Sequence, residues 1–376
     1  MTSLQPGDRV GIVGGGQLGR MAAFAAHRLG LHVSVLDPDA NCPASACANV
    51  TVAPYGDGVA VAKMSRNCKL VTFEFENLSV DAIQHSHCPV FPDPTVLEIC
   101  QSREQEKNFL RGNGFPVPRF AFLSRASSAQ QIDEAMEQIG FPAVVKTIRM
   151  GYDGKGQWKI FTFAELSQLL QTLSEVVILE QFVDFARECS VIVARNSTGD
   201  IRCFPVVENI HKNHILDVTI APAPKPERIA KTANEIAVGI AEQFKLTGLL
   251  AVELFETKTG ELLINELAPR PHNSGHWSIE GAHCSQFEQL WRAVGNLPLG
   301  DTSPVAKEAA MANLLGDWWS NGEPDWKQAL QLPGIHLHLY GKREARPGRK
   351  MGHLTAVGDM AADRVLTARN NLSLRV

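Results

Sequence analysis

The stretch FPAVVKTIRMGYDGKGQW, residues 141–158, decides how the rest of the chain is read. It opens on a short apolar run, Ala143-Val144-Val145, that ends in Lys146. Three glycines follow, Gly151, Gly154 and Gly156, set among Tyr152, Asp153, Lys155 and Gln157. Trp158-Lys159-Ile160-Phe161 then resumes a strand-like pattern. Strand, glycine loop, strand is a hairpin. It is not the strand-to-helix turn of a Walker loop, and no Ser or Thr follows Gly154-Lys155. Glycines let backbone N–H groups approach an anion closely, and Lys146 adds a point charge beside them. Taken alone, the stretch reads equally well as a polyphosphate cradle or as an ordinary flexible hairpin.

The totals narrow the classes. A chain of 376 residues, 44% hydrophobic, predicts two or three domains with real cores. The net charge of −4 argues against a nucleic-acid binder driven by bulk electrostatics, so any anion site must be local. The eight cysteines include no C-x-x-C pair, which points away from zinc and thioredoxin-type motifs. No secretory signal opens the sequence and no apolar run has the length of a bilayer. The expectation is a cytoplasmic protein with reduced thiols and no membrane partner.

From the N-terminus, residues 9–13 read as a buried strand followed by Gly14-Gly15-Gly16-Gln17-Leu18-Gly19. A helix over 20–29 and a strand over 32–36 ending at Asp37 complete a βαβ opening of dinucleotide-binding type. Such glycines serve either a nicotinamide cofactor or only close packing of helix on strand. Residues 38–54 read as loop and 69–75 as a third strand, with Glu74 and Glu76 at its carboxyl end. Glu76 either contacts a ligand or caps the next helix. Residues 97–111 read as one helix carrying Arg103, Lys107 and Arg111 at i, i+4, i+8. For Lys107 and Arg111 a solvated face is expected. After a helix over 126–139 and the opening stretch, a strand over 176–180 ends in Glu180, with Gln181, Phe182 and Val183 directly behind it. An extended segment of this kind can read an adenine edge through its backbone. Glu188, on a strand over 188–194, suits ribose hydroxyls or solvent, and a further strand over 203–208 is ended by His211.

A second anchor is the hairpin over residues 249–267, with strands LAVELF and ELLINEL about a turn at 257–260. With the turn centred between Lys258 and Thr259, Glu253 lies opposite Ile264 and Glu266 is its diagonal neighbour on the same face. Two carboxylates on one face amid apolar residues are costly unless something neutralises them. An oxygen-liganded magnesium ion does so, using one or two carboxylates plus substrate phosphates. A register slip of one would split the pair. Asn265 faces the other way unless a bulge turns it. A polar loop with Arg270, His272, Asn273 and Ser274 follows, and a basic glycine loop at 340–353 carries Lys342, Arg349 and Lys350. In an acidic chain that loop suggests a phosphate site.

Together GIVGGGQLGRM, FEFEN, SREQEK, GYDGKGQ, EQFV, AVELF, INELAPRPHNSGHW, YGK and GRKMGH resemble the ATP-grasp superfamily, and within it the 5-(carboxyamino)imidazole ribonucleotide synthetases of purine biosynthesis. The resemblance implies an α/β fold: an N-terminal doubly wound parallel-sheet domain over 1–106, a small α+β lid over 107–185, and a larger ATP-grasp domain over 186–376. The last includes a small β-rich C-terminal extension, for phosphate binding, from about 301. It implies ATP- and bicarbonate-dependent carboxylation of 5-aminoimidazole ribonucleotide through carboxyphosphate, with magnesium, by a homodimer.

Residue by residue, the same resemblance implies that Arg103 and Lys146 contact ATP phosphates under the loop Gly151, Tyr152, Asp153, Gly154, Lys155, Gly156 and Gln157. Glu180, Gln181, Phe182 and Val183 would hold adenine and Glu188 the ribose, with His211 and Asn265 completing the pocket and Glu253 and Glu266 on magnesium. The imidazole ribonucleotide would meet Gly15, Gly16, Gln17, Leu18, Glu74 or Glu76, Tyr152, Lys155, Arg270, His272, Asn273 and Ser274, with Lys342, Arg349 and Lys350 on its phosphate. Lys146, Asp153 and Arg270 are the candidates for catalysis, Asp153 orienting the amine or taking its proton. Competing classes are a nicotinamide oxidoreductase, a sister ATP-grasp enzyme and a non-catalytic nucleotide sensor.

Overall fold

The chain is described by a computed structural model at residues 3–149, 151 and 154–372. Three sheets organise these residues. The first is parallel, in the order Asn49–Val52, His32–Asp37, Arg9–Val13, Val71–Phe73. The central strand RVGIV is buried at four of its five positions, as a parallel strand covered on both faces requires. Helix Gln17–Arg28 turns its alanine-rich face inward and is fastened to a distant helix, Gln286–Val294, by the Trp291 indole, which donates to the Ala22 carbonyl at 2.7 Å. Trp277, Trp291 and Tyr340 share one core with Leu18, Met21 and Ala26, so the parallel sheet and the large sheet below are packed as one body.

The second sheet has four antiparallel strands, Phe120–Leu123, Val177–Gln181, Ala143–Thr147 and Gln157–Ile160. Helices Ala129–Ile139 and Phe163–Thr172 cover it with their own small core. The third sheet is nine-stranded and antiparallel. It runs Leu262–Ala268, Gly248–Thr257, Phe185–Arg195, Val207–Lys212, Ile215–Ala221, Ala309–Leu315, Lys350–Val357, Ile335–Leu339, with Ile201–Cys203 paired to the third of these.

The architecture is the expected α/β arrangement, a parallel-sheet unit followed by a small and a large antiparallel sheet with a β-rich C-terminal part. Several element boundaries differ from the sequence reading. The helix expected over 97–111 is two, Pro94–Cys100 and Arg103–Gly112, because Ser102 leaves the helix and caps the second, its hydroxyl accepting from Gln105 N. The stretch 38–54 is not all loop. A short turn at Pro43–Ala46 leads into Asn49–Val52, whose β-branched run pairs with His32–Asp37. The third strand is only Val71–Phe73. The strand expected over 203–208 is interrupted at Pro205, which has no N–H for a ladder, and resumes as Val207–Lys212.

The last described helix, Ala361–Asn371, is locked on the large sheet by Arg369. Its guanidinium grips Asp217 with Nη1–Oδ1 at 2.5 Å and Nη2–Oδ2 at 3.1 Å, and donates to the Asn313 carbonyl at 3.1 Å. Both side chains are buried, so removing one strands the other. Arg369→Met is expected to destabilise the protein by about 3 kcal/mol in urea melts, leaving Lys212, 2.8 Å from Asp217, as partial compensation.

Candidate active site

The small and large antiparallel sheets enclose a cleft of about 1090 Å³, with Lys146 on one wall and Glu253 and Glu266 on the other. The hairpin bearing the two glutamates does not pair in the expected register. Leu254, not Glu253, lies opposite Ile264. That slip of one would send Glu266 to the far face, but a bulge follows immediately and takes Asn265 out of the alternation. Glu253 and Glu266 are therefore directly opposite one another. Asn265 is turned into the cleft, its Oδ1 3.5 Å from Lys146 Nζ. Each glutamate is tied by one oxygen, Glu253 to His272 Nε2 at 3.1 Å and Glu266 to Arg103 Nη1 at 3.1 Å. Burial works against ionisation of Glu253, yet the His272 hydrogen bond, with His211 and Lys350 nearby, holds its carboxyl down at about 2. Among the described residues no cluster of three or more His, Cys, Asp or Glu side chains could hold a metal alone. Two hard carboxylates beside a lysine fit magnesium that arrives with a nucleotide's phosphates.

Beneath the pair lies a floor of buried charge. Lys146 Nζ is 2.5 Å from Glu180 Oε2, and Lys107 Nζ is 3.3 Å from Glu180 Oε1. Burial would raise Glu180, but the Lys107 and Lys146 ammonium groups outweigh it and hold the carboxyl at about 2. Lys107 corrects the sequence reading: it is not on a solvated face but fully buried. The signal was present. Arg103, Glu106, Lys107 and Leu110 fall at i, i+3, i+4, i+7, the inward stripe of a helix, and Leu110 marks which way that stripe faces. Arg111, by contrast, is exposed and lies over the Phe120 ring.

The nucleotide-side candidates converge. Gly151, Gly154, Lys155 and Gln157 line the cleft, whereas Gly156 packs so tightly that a Cβ would lie 2.6 Å from Thr147 Oγ1. Tyr152 and Asp153 lie outside the described residues. The loop leans on the turn of the large sheet: Gln157 Nε2 meets His214 Nδ1 at 3.2 Å, and a Cβ on Gly154 would strike the same histidine. At the end of Val177–Gln181, the N–H groups of Gln181 and Phe182 are already bound to the carbonyls of Arg119 and Pro142. Those two donors are not available to a base edge. Val183 and the segment's carbonyl groups are the backbone that remains, with Lys159 Nζ 3.8 Å from the Phe182 ring. Glu188 and His211 are ion-paired on adjacent strands, and the carboxylate raises the histidine although burial opposes it.

On the other side, Arg270 Nη2 pairs with Glu76 Oε1 at 2.5 Å, while the next helix is capped by Ser79, so Glu76 is not a cap. Asn273 lines the cleft with Arg270 and His272. Ser274 does not: it is fully buried behind His272, its hydroxyl 2.8 Å from Nδ1. Because Ser274 N–H also donates to Nδ1, that nitrogen is the acceptor and Nε2 carries the proton toward Glu253. A buried chain supports it, Thr219 donating to Asn209, Asn209 to Ser190 and Ser190 to Ser274, at 3.1, 2.9 and 2.8 Å. Sequence reasoning missed Ser190 and Asn209, since isolated polar residues within apolar strands carry no periodic signal.

Lys350 lines the main cleft, whereas Lys342 and Arg349 face a second cavity of about 350 Å³ with Gly16, Asp37 and Glu74. Leu18 is in the core, and Gln17 begins the helix. The glycine motif is occupied by the protein's own acids: Gly15 N–H donates to Asp37 at 2.8 Å, Gly16 N–H to Glu74, and Gly19 N–H to Glu74 at 2.6 Å. A pyrophosphate there would compete with two carboxylates for the same donors, which removes the basis for a nicotinamide reading.

Comparison with known proteins agrees with this geometry. A ribonucleotide synthetase preATP-grasp domain matches residues 8–101, an ATP-grasp domain 108–287, and a phosphoribosylaminoimidazole carboxylase C-terminal domain 309–365. The N5-carboxyaminoimidazole ribonucleotide synthase of Bacillus subtilis is 42% identical across 94% of this chain and 92% of its own length. The bifunctional purine synthesis protein purC/E of Dictyostelium discoideum is 45% identical across 94% of this chain, which spans only 37% of that longer protein. A crystal structure of the ADP complex of an N5-carboxyaminoimidazole ribonucleotide synthetase superposes with a TM-score of 0.89 at 39% identity, covering 99% of this chain and 98% of that one.

Glu106 gives a measurable consequence of the charged floor. One of its oxygens accepts from Leu267 N–H at 3.0 Å and the other is buried without a hydrogen bond. Burial pushes its carboxyl up to about 8, with Glu266 adding to the rise against Lys107 and Arg103. A raised acid stabilises the fold below its unfolded pKa of 4.5, and that contribution is lost as pH climbs toward 8. Urea melts of the protein and Glu106→Gln should therefore diverge from pH 5 to pH 8, the former losing up to roughly 4 kcal/mol relative to the variant, and run parallel above.

Proposed function

The chain belongs to the N5-carboxyaminoimidazole ribonucleotide synthase family of ATP-grasp ligases, and we propose that its two cavities divide that family's reaction between nucleotide and acceptor. The protein is an ATP-dependent carbon–nitrogen ligase that carboxylates 5-aminoimidazole ribonucleotide in purine biosynthesis. The observation that carries the assignment of the site is the face-to-face placement of Glu253 and Glu266 beside Lys146.

On this reading Lys146 and Arg103 hold ATP phosphates beneath the loop at 151–157. Glu180–Val183 frames adenine, and Glu188 with His211 meets the ribose. Glu253 and Glu266 would hold magnesium, which when bound would supply positive charge against the phosphoryl oxygens, with Asn265 completing the nucleotide pocket. A bicarbonate oxygen attacks the γ-phosphorus and ADP leaves. Carboxyphosphate then breaks its C–O bond to give carbon dioxide and phosphate, and the acceptor's amine adds to the carbon and loses a proton. Negative charge spreads over the transferring oxygens, so cations must already be in place. Lys146, Arg103 and Arg270 are the chain's own, each held by a carboxylate: Glu180, Glu266 and Glu76. The short-lived carboxyphosphate must be kept from water and the carbon dioxide it releases held beside the amine, the task we assign to the loop and to Arg270, His272 and Asn273.

The acceptor's phosphate is assigned to Lys342, Arg349 and Lys350, with its ring near Gly16, Gln17 and Leu18. Roles proposed for Tyr152 and Asp153 rest on the family resemblance. We read residues 1–106, 107–185 and 186–376 as the working units, in a cytoplasmic homodimer. The eight cysteines are all free thiols, in accord with a reducing compartment. No described helix is long and apolar enough to cross a membrane.

The deciding experiment is ADP release in bicarbonate buffer with and without 5-aminoimidazole ribonucleotide. Stimulation by the ribonucleotide is expected. Lys146→Met and Glu266→Gln should each lower kcat by about 10²-fold or more, and full turnover in either variant would refute the phosphate or metal assignment.

A further inference from the structure

Lys107 does not line the cleft, yet it contacts both of the sheets that form it. Its ammonium donates to the Ile264 carbonyl at 3.2 Å and the Asn265 carbonyl at 2.7 Å, and lies 3.3 Å from Glu180 Oε1. Ile264 and Asn265 are the residues at which the hairpin leaves its regular register. A bulge disrupts the ladder locally and leaves an extra residue unpaired. In a buried site an orphaned carbonyl needs another donor. Lys107 is that donor for two successive carbonyl groups.

Without the bulge, the pairing Leu254–Ile264 would continue as Glu253–Asn265 and Val252–Glu266. Glu266 would then leave the cleft face. The third contact of the ammonium reaches the end of Val177–Gln181 in the small sheet, where Glu180 presents its other oxygen to Lys146. One buried charge thus touches the strand carrying the metal carboxylate and the carboxylate that aims the phosphate lysine.

We propose that Lys107 is a positioning residue of the carboxylation reaction: its ammonium holds the Asn265 bulge that sets Glu253 and Glu266 face to face, and anchors Glu180 for Lys146. The inference rests on the assignment of Glu253 and Glu266 to magnesium. Lys107 contacts neither nucleotide nor acceptor on that assignment, so its loss should act on the metal and on turnover but not on the acceptor.

The test uses manganese as the probe, its binding in the presence of ADP followed by electron paramagnetic resonance. Lys107→Met should lower kcat about tenfold or more while the KM for 5-aminoimidazole ribonucleotide stays within about twofold. Because Lys107→Met strands Glu180 in the interior and could fail to fold, the double variant Lys107→Met/Glu180→Gln is compared with Glu180→Gln alone, which retains the lysine on the bulge. The double variant should bind manganese at least about tenfold more weakly than that background, the size expected for a group behind a metal ligand. Affinities within about threefold of each other would overturn the proposal, leaving Lys107 a structural ion-pair partner. Glu266→Gln separates the two levels. If it too binds manganese normally, the metal assignment falls and the role of Lys107 with it. If it loses manganese while the double variant keeps it, only the role of Lys107 falls.

Discussion

Two carboxylates cannot be placed opposite one another on a sheet face without a reason for them to stay ionised. Here Glu253 and Glu266 are brought to that position by a local irregularity, the bulge at Asn265. Hydrogen-bond donors on both flanks keep them there, His272 on Glu253 and Arg103 on Glu266. Much of the cleft follows from that constraint. The bulge brings Glu266 onto the face of Glu253, Asn265 meets Lys146, Lys146 is steadied by Glu180, and Glu180 is shared with Lys107. A regular hairpin continuing the Leu254–Ile264 register would offer one carboxylate to the cleft and lose the other to the opposite face.

The site is an arrangement of tethered charges rather than free ones. Arg103, Lys146 and Arg270 each sit on a glutamate. Ion pairs of this kind are poor sources of stability because desolvation offsets their attraction. Their use is in holding long side chains in one geometry before a phosphate arrives, so that little reorganisation remains to be done at the reacting centre. The neutral supports behave likewise. The chain Thr219–Asn209–Ser190–Ser274–His272 sets which imidazole nitrogen carries the proton and so fixes the direction of the hydrogen bond that reaches Glu253.

What the sequence made legible was whatever has a period or a turn signature. The Lys146 strand, its glycine loop and the glutamate hairpin are visible because alternation and glycine spacing are local. The hairpin register was misjudged by one residue, and no propensity reports a bulge whose cause is a lysine more than 150 positions away on another element. Lys107 was misassigned for a different reason. A charge stripe on a helix looks solvated unless its apolar companion is weighed, and Leu110 shares its face. The N-terminal glycine motif was ambiguous in principle, since glycines demanded by a ligand and glycines demanded by a neighbouring carboxylate look alike. At Gly16 a Cβ would lie 2.5 Å from Glu74 Oε1, which settles what excludes a side chain there.

The two cavities are divided by little chain, and this bears on how carbon dioxide released from carboxyphosphate is passed to an amine. Glu74 and Phe75 face the smaller cavity while Glu76 faces the larger; Arg349 faces the smaller while Lys350 faces the larger. Each of these short segments thus contributes side chains to both cavities. The parallel sheet that supplies the first segment shares a core with the large sheet that supplies the second, through Trp277, Trp291 and Tyr340. Under the proposed assignment the acceptor's phosphate, gripped by Lys342 and Arg349 from the smaller cavity and by Lys350 from the larger, lies where the two cavities meet. The strands flanking the glycine loop have a small core of their own, separate from the one that the parallel and large sheets share, so that under the proposed assignment the nucleotide lies between separately packed cores.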